Sequence, residues 1–128
     1  MELDGTLGGS TPVVANAPVC GDAFRWHVDG DPLLAPSSPF VDLHGRYANR
    51  SPGKPRLVSC LVYLNSEWRA AEWGAGTAFR DPPTGAELRV LPRPGRVVLM
   101  DQDVQHSVTA PTEAAGPGRP RYSLVWKL

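Results

Sequence analysis

The chain has few cysteines and no long apolar run, and each shortage excludes a class of protein. Only two cysteines, Cys20 and Cys60, occur among the 128 residues, which is too few for a disulfide framework, so we expect two free thiols. No apolar run is long enough to cross a membrane, and the start MELDGTLGGSTP is neither a signal peptide nor a transit peptide. We therefore expect no membrane contact in this chain and a cytoplasmic or nuclear location. Secretion stays open if further residues precede the chain.

An excess of charge of either sign is also missing. The chain has 13 Lys and Arg residues against 13 Asp and Glu residues, so its formal net charge is zero. Without a basic stripe there is little electrostatic attraction for phosphates, and we expect no nucleic-acid partner. Hydrophobic residues at 41% and charged residues at 20% are typical of a folded protein, and the length suits one hydrophobic core.

Proline and glycine are abundant and divide the chain into short pieces. With 14 Pro and 13 Gly, strands and turns are favoured over long helices. Six or seven segments have the pattern of strands, and no strong helix is indicated, which predicts an all-β sandwich, a small barrel or a jelly roll. Residues 67–76 read as a turn or short helical piece, and residues 30–55 and 111–120 read as loops. We expect a loose N-terminal segment and first strand in residues 1–23, and the main domain in residues 24–128.

The segment FRWHVDGDP places two strong metal ligands two residues apart, at His27 and Asp29. On a strand, residues i and i+2 share a face, so His27 and Asp29 should project together, away from Phe24 and Trp26. A second histidine, His106, lies on a later predicted strand. Two imidazoles and one carboxylate form a facial triad that suits non-haem Fe(II), although Mn(II), Co(II) or Zn(II) also accept such ligands.

Arg121 opens the apolar terminal segment RYSLVWKL. An arginine offers a carboxylate a planar, bidentate fork, so Arg121 is a candidate for binding a dicarboxylate cosubstrate. Tyr63 could donate its hydroxyl to the same carboxylate, and Ser123 shares the strand face of Arg121. Each also has an ordinary structural explanation: a salt bridge at a strand end for Arg121, and a core hydroxyl for Tyr63 and Ser123.

Three further residues are candidates for supporting or competing roles. Asp101 and Asp103 precede His106, and either could hold its imidazole through the free ring nitrogen. Arg119 lies two residues before Arg121 and could face the same way, which makes it a rival for the cosubstrate.

The order of these segments matches a known family. HVD, CLVYLNSEW, GAGTAFRD, PGRVVLMD, QHSV and RYSLVWKL together resemble the prolyl 4-hydroxylase-like branch of the Fe(II)/2-oxoglutarate-dependent oxygenases, over Phe24 to Leu128. The resemblance implies a double-stranded β-helix, or jelly roll, with the metal at its open mouth. Family members carry helices before the HxD motif, and this chain lacks a comparable stretch, so we expect a jelly roll without its N-terminal helical support.

The resemblance also assigns roles to residues. His27, Asp29 and His106 match the iron ligands, Arg121 matches the residue that pairs with the C5 carboxylate of 2-oxoglutarate, and Tyr63 matches a tyrosine that assists it. The implied activity is a dioxygenase that hydroxylates a C–H bond, with a prolyl residue of a protein or peptide as substrate. Fe(II), 2-oxoglutarate as cosubstrate and ascorbate as reductant are the implied cofactors.

Two other functions are compatible with the same residues. One is a non-catalytic jelly-roll module, a truncated oxygenase that still binds a metal. The other is a cupin-like metalloenzyme that does not use 2-oxoglutarate. Arg121 together with Tyr63 argues against the cupin-like enzyme, because such an enzyme needs no cation at the base of its pocket.

Overall fold

Eight β-strands form the framework of the chain in a computed structural model that describes residues 13–128. They are β1 (Val13–Asn16), β2 (Phe24–His27), β3 (Val58–Tyr63), β4 (Thr77–Arg80), β5 (Glu87–Val90), β6 (Val97–Asp101), β7 (Gln105–Val108) and β8 (Ser123–Lys127). One antiparallel sheet has the order β1-β8-β3-β6 and the other the order β2-β7-β4-β5. This interleaved pair of four-stranded sheets confirms the predicted jelly roll. The predicted loose segment falls largely on residues 1–12, outside the described residues.

The central strand β3 shows how the sequence builds the interior of the first sheet. It pairs with both β6 and β8, and its side chains alternate between buried and half-buried. Ser59, Leu61 and Tyr63 are the buried members and face inward. Cys60 instead lies half-buried on the outer face, opposite Leu99 of β6.

The predicted loop at residues 30–55 contains a helix, α1 (Pro39–His44), as well as a 3-10 turn at Pro32–Leu34. Ser38 caps α1 by accepting a hydrogen bond from the Val41 amide, and Pro39 occupies the first helical position. A serine followed by proline is a usual start of a helix, so this signal was present in the sequence. The segment is tied to the sheets by Asn49, whose main-chain amide donates to Asp103 and whose side chain bonds both polar main-chain groups of Leu57.

A second short helix, α2 (Ala70–Trp73), confirms the helical piece predicted within residues 67–76. Trp73 packs edge-on against Trp68, with ring centroids 5.3 Å apart, a geometry that adds about 0.5–1.5 kcal/mol beyond area burial. Ala115, from the 3-10 turn Glu113–Ala115, completes this cluster, so the predicted flexible loop at 111–120 is packed in its middle. None of the helices within residues 13–128 is long and apolar enough to cross a membrane.

Candidate metal centre and cosubstrate pocket

Two neighbouring strands and the residues after one of them bring the three predicted metal ligands together. His27 at the end of β2 lies directly opposite His106 of β7, and their ring centroids are 4.2 Å apart. Asp29 follows two residues after His27 and joins them, because its main-chain amide donates to the Gln102 carbonyl at 2.8 Å. Potential ligand atoms of the three side chains lie within 4.8 Å of one another. This spacing brings all three side chains within reach of a single metal ion.

Both histidines present the same ring nitrogen to the centre. The Nδ1 atom of His27 lies 2.7 Å from the Arg25 carbonyl, and that of His106 lies 3.0 Å from the Val104 carbonyl. Since a carbonyl only accepts, each Nδ1 carries the proton and each Nε2 keeps its lone pair for a metal. Burial lowers the pKa of His106 below its ordinary value of 6.5, outweighing the opposing effect of the Val104 hydrogen bond. The buried imidazole is therefore neutral at physiological pH, which is the form that binds a metal.

An aspartate was a candidate hydrogen-bond partner for the His106 ring, and the structure shows a different partner. Within the described residues, the Val104 carbonyl takes the free ring nitrogen, two residues before the ligand. Asp103 turns away and accepts a hydrogen bond from the Asn49 amide at 3.1 Å. Asp101 forms ion pairs with Arg50 and Arg56 at distances of 3.3 and 4.0 Å. A main-chain acceptor cannot be read from side-chain identity, so the sequence offered only the two aspartates as candidates.

Strand β2 does not alternate as its sequence predicts. Its pairing with β7 shifts register between Phe24 and His27, which is the mark of a β-bulge. As a result Phe24 lines the same cavity as His27 and Asp29 instead of facing the opposite side, and Val28, which follows the strand, lines it as well. The bulge thus brings Phe24 into the surroundings of the candidate metal ligands, where Phe24 and Val28 are 40% and 38% exposed.

A cavity of about 250 Å³ between the two sheets extends from the three ligands to Arg121. Arg121 lies just before β8, where its main-chain amide donates to the Pro18 carbonyl, and the residue is only 1% exposed. Its Nε and Nη1 atoms are buried and find no hydrogen-bond partner within residues 13–128. Burial lowers the pKa of the guanidinium, although an arginine stays protonated in a protein. A buried cation of this kind calls for an anion, and a carboxylate entering the cavity would supply one.

The hydroxyls predicted beside Arg121 take different positions. Ser123 is 1% exposed, lines the cavity, and its Oγ atom is also without a hydrogen-bond partner within residues 13–128. Tyr63 lies under the guanidinium, whose central carbon is 5.2 Å from the ring centroid. Its hydroxyl forms a hydrogen bond of 2.8 Å with Thr77 Oγ1, and burial raises its pKa. If Thr77 is the donor, the Tyr63 hydroxyl is left to donate to a ligand.

Arg119 lies outside this cavity. It is exposed, and its guanidinium stacks 4.3 Å above the ring centroid of Trp73. Arg121 lines the cavity and Arg119 does not, so of the two rival arginines only Arg121 is placed to meet a cosubstrate there. The two candidates differ because strand β8 begins at Ser123 and directs Arg121 inward with Ser123.

Three residues in or beside the cavity were missed from the sequence. Thr77 bonds Tyr63, Ser59 donates to the Asp29 carboxylate at 2.6 Å, and the Lys127 ammonium donates to the Asp29 carbonyl at 2.9 Å. The signal available in the sequence was the alternation of side chains between the two faces of a strand. Ser59 shares a face with Tyr63 on β3, and Lys127 shares a face with Ser123 on β8. What alternation cannot supply is the position of Asp29 against the opposite sheet.

The residues present fit Fe(II) and a dicarboxylate cosubstrate. Two imidazole nitrogens and a carboxylate oxygen are suitable donors for Fe(II), and they leave positions open for other ligands. The donors of Arg121 and Ser123 that lack partners within the described residues match a dicarboxylate such as 2-oxoglutarate.

Comparisons with known proteins agree with this geometry. The fold matches a prolyl 4-hydroxylase from Pseudomonas putida over 90% of this chain and 50% of that one, with 24% identity and a TM-score of 0.56. It matches a Trichoplax adhaerens prolyl hydroxylase, solved with a hypoxia inducible factor peptide fragment, over 91% of this chain and 42% of that one, with 19% identity and a TM-score of 0.58. A prolyl 4-hydroxylase from Phytophthora capsici matches over 90% of this chain and 30% of that one, with 26% identity and a TM-score of 0.51.

The chain thus spans half or less of the length of these solved structures. Among curated proteins, no sequence matches it significantly. The family model described as the 2OG-Fe(II) oxygenase superfamily matches residues 13–126, which is most of the chain. The chain therefore belongs to the 2OG-Fe(II) oxygenase superfamily.

Proposed function

We propose that this chain carries an Fe(II)- and 2-oxoglutarate-dependent dioxygenase centre that hydroxylates a prolyl residue of a protein or peptide. The observation that carries the proposal is a single cavity with two opposite ends. One end has the cluster of His27, Asp29 and His106. The other end has Arg121, a buried cation whose Nε and Nη1 atoms find no acceptor among the described residues. A dicarboxylate that reaches from the metal to Arg121 accounts for both ends.

The three clustered side chains are the proposed metal ligands. His27 and His106 offer Nε2 lone pairs, held in that tautomer by carbonyl acceptors at Nδ1, while Asp29 offers a carboxylate oxygen. When bound, Fe(II) and 2-oxoglutarate supply the oxidising chemistry, in which O2 is consumed, 2-oxoglutarate becomes succinate and CO2, and a substrate C–H bond is hydroxylated. The protein contributes the geometry, and no side chain is needed as a proton donor or acceptor.

The far end of the cavity holds the proposed cosubstrate-binding residues. The Arg121 guanidinium would pair with the distal carboxylate of 2-oxoglutarate, and Ser123 would offer it a hydroxyl from the same cavity. Tyr63 stacks on the guanidinium and positions it. The apolar Leu61 and Val125 also line the cavity and limit the entry of water.

The prolyl substrate is the finer part of the proposal. It is supported by the prolyl hydroxylase folds that this chain resembles, one of which was solved with a peptide. Phe24 and Val28 add partly exposed apolar surface beside the metal ligands, which suits the carbon-rich ring of proline. Ascorbate is the proposed reductant that keeps the iron in the Fe(II) state.

The experiment is succinate formation from 2-oxoglutarate under air, with Fe(II) and ascorbate, with and without proline-containing peptides. The wild type should turn over slowly alone and faster with a suitable peptide, while His106→Ala and Arg121→Ala should both lose turnover. Arg119→Ala is the matched control and should behave like the wild type. A folded chain that binds Fe(II) and 2-oxoglutarate without turnover would favour a non-catalytic module. A chain that binds metal but no 2-oxoglutarate would favour a cupin-like enzyme.

A further inference from the structure

Asp29 is held at both of its main-chain polar groups. Its amide donates to the Gln102 carbonyl at 2.8 Å, and its carbonyl accepts from the Lys127 ammonium at 2.9 Å. The backbone of Asp29 is therefore fixed between two separate parts of the fold. The remaining freedom lies in the side-chain torsions, which decide how the carboxylate faces the metal centre.

Ser59 restrains this remaining freedom from the opposite sheet. It lies on the inward face of β3, it is fully buried, and its Oγ atom donates to Asp29 Oδ2 at 2.6 Å. The other oxygen, Oδ1, faces the centre at 4.0 Å from His27 Nε2 and 3.8 Å from His106 Nε2. The two oxygens of one carboxylate thus have different partners, one a serine hydroxyl and the other the metal position.

This difference controls how many metal positions the carboxylate can occupy. A carboxylate binds a divalent metal through one oxygen or through both, and binding through both uses one more coordination position. Two imidazoles and a single carboxylate oxygen leave three positions free on an octahedral ion. A short hydrogen bond to an ionised carboxylate is strong, so it holds Oδ2 away from the metal.

We propose that Ser59 is a positioning residue that keeps Asp29 a one-oxygen metal ligand and so preserves the open positions of the centre. This inference rests on the proposed function only in requiring that the three clustered side chains bind a divalent metal. It needs neither turnover nor cosubstrate. Partners that orient a ligand in this way commonly change metal affinity about 10- to 100-fold when removed.

The test measures metal binding by the full chain without 2-oxoglutarate. Mn(II) affinity is measured by titration, and the visible spectrum of the Co(II)-loaded protein reports the coordination number. Ser59→Ala should weaken Mn(II) binding roughly 10- to 100-fold and change the Co(II) spectrum. Ser59→Gly also removes the hydroxyl and adds no group that could bind the metal, so it should show the same changes.

Cys60→Ala is the matched control, because Cys60 is the next residue of β3 and lies half-buried on the opposite face of the strand from Ser59. It should keep the Mn(II) affinity and the Co(II) spectrum of the wild type. If both Ser59 variants also keep them, Ser59 is only a structural residue and the proposal falls. If the wild type itself binds no divalent metal, the proposed function falls first and takes this inference with it.

Discussion

Replacing Arg121 by methionine should have opposite effects on stability and on ligand binding. Arg121 is 1% exposed, and its Nε and Nη1 atoms have no hydrogen-bond partner within residues 13–128. Burying a charge without an anion costs several kcal/mol, whereas its stacking on Tyr63 returns about 0.5–2 kcal/mol. The cost of burying the charge exceeds the gain from stacking, so Arg121→Met should stabilise the ligand-free protein by about 1–3 kcal/mol. Methionine keeps an unbranched stem of similar reach, which limits the cavity that the change leaves.

The same substitution should remove most of the affinity for 2-oxoglutarate. Losing a buried partner of a carboxylate costs about 2–4 kcal/mol, which raises Kd roughly 30- to 1,000-fold. Thermal unfolding measures both effects in one assay, at roughly 3–5 °C per kcal/mol for a domain of this size. Without ligand the variant should melt above the wild type. With 2-oxoglutarate and Mn(II), the wild type should gain far more than the variant does.

Arg119→Met is the control for this experiment. Arg119 is exposed and stacks on Trp73 away from the cavity, so its loss should leave the 2-oxoglutarate response unchanged. Two results would refute the reasoning. One is a ligand-free Arg121→Met protein that is less stable than the wild type, and the other is an Arg121→Met protein that binds 2-oxoglutarate as well as the wild type does.

Three further predictions concern the ligands and the wall of the cavity. Because burial lowers the pKa of His106 below 6.5, the unfolded chain takes up a proton there more readily, so the metal-free protein should lose stability as the pH falls below 6.5. His106→Gln should make this fall in Tm shallower between about pH 7.5 and 5.5, and an equal slope would contradict the assignment. Tyr63→Phe should lower the free energy of unfolding in urea by about 1–2 kcal/mol, because it leaves the Thr77 hydroxyl without its hydrogen-bond partner. Adding Thr77→Val to the same chain should recover part of this loss, and simple additivity of the two changes would contradict the coupling. Mn(II) at about one hundred times its Kd should stabilise the wild type by about 2.7 kcal/mol, and Asp29→Asn should lose most of that gain; an undiminished gain would exclude Asp29 as a ligand.

Much of the architecture follows from local patterns in the chain. The strand β3 could be predicted because its run of apolar residues is too short for a typical helix and rich in side chains that favour strands. The candidate ligands His27 and Asp29 could be picked out because their chemistry and their separation of two residues are both visible in the sequence. Arg121 and His106 could also be picked out from the sequence, because a charged side chain or an imidazole is conspicuous in an otherwise apolar segment.

The predictions failed or stayed open where the outcome depends on contacts between distant segments. The alternation of β2 predicts that Phe24 faces away from His27, and only the pairing with β7 reveals the bulge that turns it inward. The acceptor of the His106 ring is a main-chain carbonyl, which every residue has, so the sequence could offer only Asp101 and Asp103 as candidates. The loop at 30–55 has its own helix, because a serine cap and a proline start it where the apolar pattern alone is weak.

The identity of the candidate ligands was thus present in the sequence, while their arrangement was decided by the packing of one sheet over the other. Ser59 and Asp29 are thirty positions apart and meet only because the two sheets close on each other. Arg119 and Arg121 are equally charged and two residues apart, yet burial selects Arg121 and leaves Arg119 on the surface. Side-chain chemistry is a local property that a sequence states directly. Burial and partner choice are properties of the closed jelly roll, because they depend on which strands lie against each other.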